Sequence, residues 1–513
     1  MRRIKLLLGF ALFFQLANAQ QSGDLDPTFG TNGVVQTPIG NGSFIVDEVR
    51  NVTIQPNGKI IAMGSTRNGT KKHVAYVRYN PDGSLDQSFG NGGKQIFVPT
   101  SLYGNFATAA ATLSDGKIIS CGYVFDSDNT ICQPLLIRMN DDGTLDTSFG
   151  NNGIVLADFP YSTLPEKMVL QKDGKMLLVG YYHDNMMTLR YNPDGSIDKT
   201  YGIDGVCEIV IEGSANSSFA KAIALQEDNK AVIVGMYGTH PDWKWAIARI
   251  NENGSLDNSF GENGLKTMSI GSGHDFATAV QIQEDGKIVV AGHSWVASIP
   301  TLQYDLIVLR LNQDGELDNT FGESGIFKKN VIDGGATYVD GIVLSPEGNI
   351  YVAFNAVKNS ISDLGLLSVD KNGKLNTSFG GNGYTVTDLS EAADEASAIV
   401  MQADGKIVLG ASSFSATTGT PFVLLRYLTD VPSSVLPMVG EEKSFVVYPN
   451  PVKDVLNIEY EGEFGVRIFD LSGRLVLSTK NARTIDVKAL TAGSYVIELT
   501  TEAGVLTERF VKL

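Results

Sequence analysis

Arginine and aspartate recur in step along this chain. Arg78 is followed by Asp86, Arg138 by Asp146, Arg190 by Asp198, Arg249 by Asp257 and Arg310 by Asp318. Arg426 finds its counterpart only if the chain closes on itself, at Asp26. One unit breaks the rule with both partners at once, where Ser368 stands for the arginine and Asn376 for the aspartate. Joint loss argues for pairs whose members need each other, since one buried charge alone is costly. The expectation is a set of structural pairs, including Arg78–Asp86, Arg138–Asp146 and Arg426–Asp26, fastening each unit to the connection that follows.

Residues suited to catalysis form no local pattern. No G-x-S-x-G, H-E-x-x-H, Walker loop, G-x-G-x-x-G or C-x-x-C occurs, and His73, His183, His240, His274 and His293 are scattered over separate units. No catalytic, cofactor-binding or metal residue is therefore assigned. Asn80, Asp82 and Asp86 faintly resemble a calcium loop but lack its bidentate acid, and turn chemistry explains all three. Cys121, Cys132 and Cys207 read either as buried small hydrophobes or as a Cys121–Cys132 disulfide across one hairpin. Trp243, Trp245 and Trp295 suit core packing or ligand stacking.

The elements that must position these residues hang from one stretch, NPDGSLDQSFGNGG at 80–93. Pro81 and Gly83 make a turn, Asp86 is placed to accept backbone N–H groups near Ser88, and Phe89 is the apolar anchor. Its relatives carry Phe29, Phe149, Tyr201, Phe260, Phe321 and Phe379, spaced 52–61 residues apart. Each unit also holds a hairpin such as Pro56-Asn57-Gly58 or Asp115-Gly116, between a strand of alternating polarity and an apolar return strand. Asn57-Gly58 reads as a type I′ turn. Four antiparallel strands per unit predict an all-β, seven-bladed β-propeller at 20–430. The strand at Val34-Val35 reads as the first of its unit and His73 to Tyr79 as the fourth, so no strand need cross between the termini. Residues 25–30 should still dock on the last blade.

The ends supply an address. Met1–Ala19 has basic residues, an apolar run and Ala17-Asn18-Ala19, the form of a signal peptide. No other stretch suits a transmembrane span. Net charge is −17, or −20 without Arg2, Arg3 and Lys5. Such acidity argues against a nucleic-acid partner. Residues 431–442 read as a linker, and 443–513 as a small Ig-like β-sandwich.

LDxSFGxxG, QxDGKIxxxG and RxNxDG, iterated over 25–428, resemble the delta-60 repeat family of bacterial exported β-propellers, which implies a fold and no activity. Tyr448-Pro449-Asn450-Pro451, Asp470–Arg474, LTAGSY at 490–495 and Phe510–Leu513 resemble the type A C-terminal sorting domain of the Bacteroidetes type IX secretion system. That resemblance implies Sec export, passage through the outer membrane with the type IX machinery as partner, and a secreted or cell-surface protein. The expected function is a binding or adhesion scaffold for an extracellular glycan or protein. The alternative is a hydrolase or lyase acting on extracellular polysaccharide at the propeller's central opening. Ligand contacts are expected on the face whose loops vary between units, at Tyr103, Tyr161, Tyr182, Trp243 and Trp295.

Overall fold

The computed structural model describes residues 20–40, 45–68, 71–99, 104–125, 132–159, 161–211, 217–240, 242–297, 303–414, 419–430 and 445–512, apart from 461, 471–474, 481, 492 and 502–503. The signal peptide and linker expected from the sequence lie outside them. The chain divides into two compact units, 1–432 and 433–513. Among the described residues both are all-β, with no α-helix.

In the first unit, four antiparallel strands make each sheet. The first sheet pairs Ile45–Ile54, Ile60–Asn68, Lys71–Tyr79 and Lys94–Phe97 in that order. The same order runs through sheets that begin at Asn105–Thr112, Thr163–Leu170, Ser217–Leu225, Asp275–Ile282 and Ala336–Leu344. Asp394–Met401 opens the last, followed by Ile407–Ser413 and Phe422–Tyr427. Each first strand lies against the next sheet's first strand, and Asp394–Met401 lies against Ile45–Ile54, which closes the circuit. This is the arrangement of a β-propeller.

The last sheet takes its fourth strand from the other end of the chain. Val34–Thr37 pairs with Phe422–Tyr427, Val34 opposite Leu425 and Thr37 opposite Phe422. The expectation of no exchange between termini is overturned, and the reason lies in where a unit begins. NPDGSLDQSFGNGG joins the third and fourth strands of one sheet, so the short strand after each such motif ends a sheet and does not open one. Docking of the start segment does occur: Leu25 bridges Tyr427, and the Asp26 N–H donates to the Arg426 carbonyl at 2.8 Å.

The expected hairpins form with a different turn. Gln55 accepts from Gly58 N–H at 2.8 Å and donates to Lys59 O at 2.8 Å, and Gly58 has φ +80°. Asn57 is not left-handed, so the loop is a type I turn closed by a glycine bulge, not type I′. Cys121 faces Leu136 and Cys132 faces Phe125, four rungs along one strand pair. At ~3.3 Å per residue they stand about 13 Å apart, too far for a disulfide. All three cysteines are buried, and none is joined to another by a disulfide.

The second unit has two sheets. Val446–Tyr448, Val455–Glu459 and Thr484–Asp486 form one, and Leu475–Lys480, Gly465–Asp470, Gly493–Thr501 and Gly504–Lys512 the other. They share a core that includes Leu456, Val466, Ile468, Ile497 and Phe510.

Candidate functional site

Two structures repeat around the first unit: a charged clamp and a polar ring. The clamp is built on the buried aromatic anchor. Arg78 Nε donates to Asp86 Oδ2 at 2.6 Å, its guanidinium lies 4.8 Å from the Phe89 ring centre, and Nη1 reaches the Asp141 carbonyl in the next sheet's turn. Arg138 does the same with Asp146, Phe149 and Pro193 O, and Arg426 with Asp26, Phe29 and Pro81 O. Gly143, at φ +86°, sits on the Phe89 ring, where a Cβ would approach within 2.9 Å. The arginine therefore couples three things: its own turn, its aromatic ring and the following sheet.

The clamp has a third member that the sequence reading missed. Lys59 bonds Asp86 at 2.8 Å, Lys117 bonds Asp146 at 3.0 Å and Lys406 bonds Asp26 at 3.0 Å. In the exceptional sheet all three charges are absent: Asn349, Ser368 and Asn376 take the positions of Lys, Arg and Asp. Tyr351, opposite Ser368, fills the space edge-on to Phe379 at 5.6 Å. That sheet is followed by the crossing of the termini and has no repeat turn to hold. Gly380 N–H bonds Ser22 O at 2.8 Å, and Asn376 and Ser378 bond the Asp430 carboxylate at 2.6 and 2.9 Å. Burial would raise the carboxyls of Asp86, Asp146, Asp198, Asp257 and Asp318, but their hydroxyl, lysine and arginine partners hold them well below the usual range. These residues spend their charges on one another and on the turn of the next sheet.

The polar ring faces the centre. Every first strand carries a β-bulge, and the extra residue is Arg50, Thr108, Glu166, Lys221, Thr278, Asp340 or Ser397. A bulge leaves its extra residue out of the ladder and re-aims its side chain. All of these residues line one central cavity of about 460 Å³, together with Lys167, Phe106, Tyr123, Tyr338 and His293. Phe106 and Tyr123 stack at 4.9 Å. The ring also fastens neighbouring sheets, since Thr108 Oγ1 bonds Pro165 O at 2.9 Å and Ser397 Oγ bonds Val49 O at 2.7 Å. Each bulge residue stands five before the residue that opens its DG hairpin, as Arg50 before Gln55 and Glu166 before Gln171. Aligning the units on that turn would have exposed the ring.

The charges in the cavity are unequal. Lys221 pairs with Glu166 at 2.9 Å, both about one-third exposed. Arg50 bonds Glu48 at 3.0 Å from an exposed position. Burial pushes the Asp340 carboxyl up to about 8, with Glu395 adding and Lys167, Arg50 and the Asn355 amide opposing. Burial likewise lowers Lys167, against the pull of Glu166 and Asp340. Both side chains are enclosed by protein yet partly open to the cavity. His293 is pushed down to about 3 by burial, and its Nδ1 accepts the Val339 N–H at 3.2 Å, leaving the proton on Nε2.

The aromatic residues expected to contact ligand do not converge. Tyr161 is 47% exposed, stacks on His183 at 4.3 Å and meets Tyr182 edge-on at 5.7 Å. Trp243 packs against Phe219 at 5.6 Å in another sheet, and Trp295 lies 5.9 Å from His274 in a third. Tyr103 lies outside the described residues. Asp363, Asp388 and Asp394 bring carboxylate oxygens within 4.8 Å of one another, away from the cavity lining. Asp394 spends its oxygens on the Leu389 and Ser390 N–H groups and the Ser390 hydroxyl, so loop anchoring accounts for it.

Known proteins resemble parts of the chain. Residues 446–513 match the secretion system C-terminal sorting domain. Residues 55–89, 113–149, 171–201, 226–260 and 283–321 match the DUF5122 β-propeller domain of unknown function. These segments stop before the sheet that has lost its clamp. No curated protein matches the chain. Solved structures with some similarity include a protein of unknown function from Dyadobacter fermentans, at 10% identity over 77% of this chain and 99% of that one, TM-score 0.41. Others are polysaccharide lyase Uly1, at 11% over 78% and 93%, TM-score 0.47, and the GH93 alpha-L-arabinofuranosidase of Fusarium graminearum, at 8% over 78% and 98%, TM-score 0.38. No helix among the described residues is long and apolar enough to cross a membrane. The chain carries DUF5122 β-propeller repeats within 55–321 and a type IX secretion sorting domain at 446–513, which sends it to the cell surface or the extracellular space.

Proposed function

We propose that this protein is an exported seven-bladed propeller, 20–430, that binds an extracellular ligand in its central funnel. It follows a signal peptide at 1–19 and is joined by a linker at 431–442 to an Ig-like sorting domain at 443–513. One observation carries the functional reading: the first strands aim Arg50, Thr108, Glu166, Lys221, Thr278, Asp340 and Ser397 into one cavity. About 460 Å³ falls within the usual range for small-molecule or saccharide pockets. The clamp residues are consumed by structure and leave nothing free for a ligand. Tyr161, Tyr182, Trp243 and Trp295, with Tyr103, then serve as outer contacts for a ligand that extends beyond the funnel.

A polysaccharide-cleaving activity is the second reading, favoured by two carboxyl groups with opposed environments in the same cavity. Glu166 is held beside Lys221 while Asp340 is pushed up to about 8. Such a split is how acid and base roles are divided. Incubation of the full chain with extracellular polysaccharides, read by new reducing ends and by absorbance of unsaturated products, decides between the two. Cleavage abolished by Asp340→Asn supports an enzyme, and binding without cleavage supports a scaffold.

A further inference from the structure

We infer that the funnel takes a carboxylated saccharide, a chain containing uronic acid residues. This rests on the funnel being the ligand seat. Its first support is local charge. The chain carries −17 overall, yet the ionisable lining holds Arg50, Lys167 and Lys221 against Glu166 and Asp340. With Asp340 carrying its proton, Glu166 is the remaining anion among the lining residues, and it is already spent on Lys221 at 2.9 Å, while Glu48, outside the lining, bonds Arg50 and Lys72. A cationic cavity in an acidic protein focuses its field on small anions and rejects acidic surfaces too large to enter.

The second support is Lys167. It follows the bulge residue Glu166, lines the cavity, and makes no ion pair within 4.0 Å among the described residues. Burial disfavours its charged form, and a ligand carboxylate beside it would restore that form by supplying the missing counter-ion. Arg50, two sheets away in the ring, brings a planar fork suited to the same group, and its present partner Glu48 is a solvent-exposed contact of small value.

The rest of the lining selects a sugar over other carboxylates. The stacked Phe106–Tyr123 pair and Tyr338 offer flat apolar surface to a pyranose face. Thr278, Ser65 and His293 Nε2 add hydroxyl and imidazole groups for ring hydroxyls. A folded protein partner could present at most one side chain to so narrow a space.

The test uses the full chain and titration calorimetry with a galacturonic acid trisaccharide, and with maltotriose as the neutral control. The galacturonide should bind, weaken at least tenfold in Lys167→Met and in Arg50→Gln, and weaken as salt rises from 50 to 500 mM. Maltotriose should bind at least tenfold more weakly. Circular dichroism of each variant confirms folding, and Lys167→Arg should retain most of the affinity. Equal binding of the two sugars, both weakened by Tyr123→Ala, overturns the charge preference and leaves the funnel as the seat. Galacturonide binding that survives both charge variants but falls in Trp243→Ala overturns the funnel itself. No galacturonide binding overturns the inference.

Discussion

Replacing Arg138 by methionine isolates the clamp. Methionine keeps much of the apolar stem over the Phe149 ring but removes the guanidinium, which lies 4.5 Å from the ring centre. Lost with it are the 2.8 Å bond to Asp146, the 3.2 Å bond to Ser148 and the contact with Pro193 O in the next sheet. Breaking one side of a buried pair costs about 3–5 kcal/mol because the other charge is stranded. Asp146 keeps Lys117 at 3.0 Å and the Ser148 hydroxyl at 2.6 Å, so the lower end, about 3 kcal/mol, is expected. Adding Asp146→Asn removes the stranded charge and keeps the amide oxygen for Ser148. The double variant should then be no worse than the single one, with a coupling energy of about 1.5 kcal/mol or more. Urea unfolding followed by tryptophan fluorescence reads the first unit alone, since Trp243, Trp245 and Trp295 all lie within it. Strictly additive losses would show that the two side chains do not depend on each other, and the account of the clamp would fail.

Other expectations follow from the same geometry. The clamp aspartates titrate well below their unfolded values, so their stabilisation is present above about pH 4 and is lost as pH falls through the folded values. Urea midpoints should drop steeply below pH 4, and a flat profile would refute the pairs. Asp340 is the opposite case: its carboxyl titrates near 8 when folded, so stability is fully present below about pH 4 and declines as pH rises toward 8. Asp340→Asn should flatten that decline, as seen in midpoints at pH 5 and 8. Deleting residues 20–37 removes the strand that completes the last sheet and should lower the thermal midpoint by well over 5 °C, whereas an unchanged midpoint would refute closure by that strand. Truncation after Asp430, which keeps its bonds to Asn376 and Ser378, should leave a folded protein held in the periplasm, and normal surface delivery would refute the sorting role.

Much of the fold was legible because turns are local. Asn-Pro-Asp-Gly and the DG hairpins specify backbone directly, and repeating them fixed the number of strands per unit. Where a unit starts is not local. Val34–Thr37 looks alike whether it opens one sheet or completes another, and only its partner at Phe422–Tyr427 decides. The faces survive that shift, because moving every strand label by one leaves the same loops on the same side. Lys117 and Lys287 lie in DG turns that local chemistry explains, yet both bond clamp aspartates, at 3.0 and 2.9 Å, a partnership that only the fold brings about. The funnel was hidden for a different reason. Its residues are Arg, Thr, Glu, Lys, Thr, Asp and Ser, a position with no fixed type, and a search for shared residues passes over it. What those residues share is the bulge, a property of register and not of composition.

A glycan array probed with the full chain and two variants decides whether the funnel is the ligand seat. Thr278→Trp fills the funnel from a ring position, and Tyr161→Ala with Trp243→Ala strips two outer aromatic contacts. Every glycan bound by the native chain should be lost with the filled funnel, while the outer variant still binds, more weakly only to longer chains. Full binding by the filled funnel, with loss in the outer variant, would contradict it.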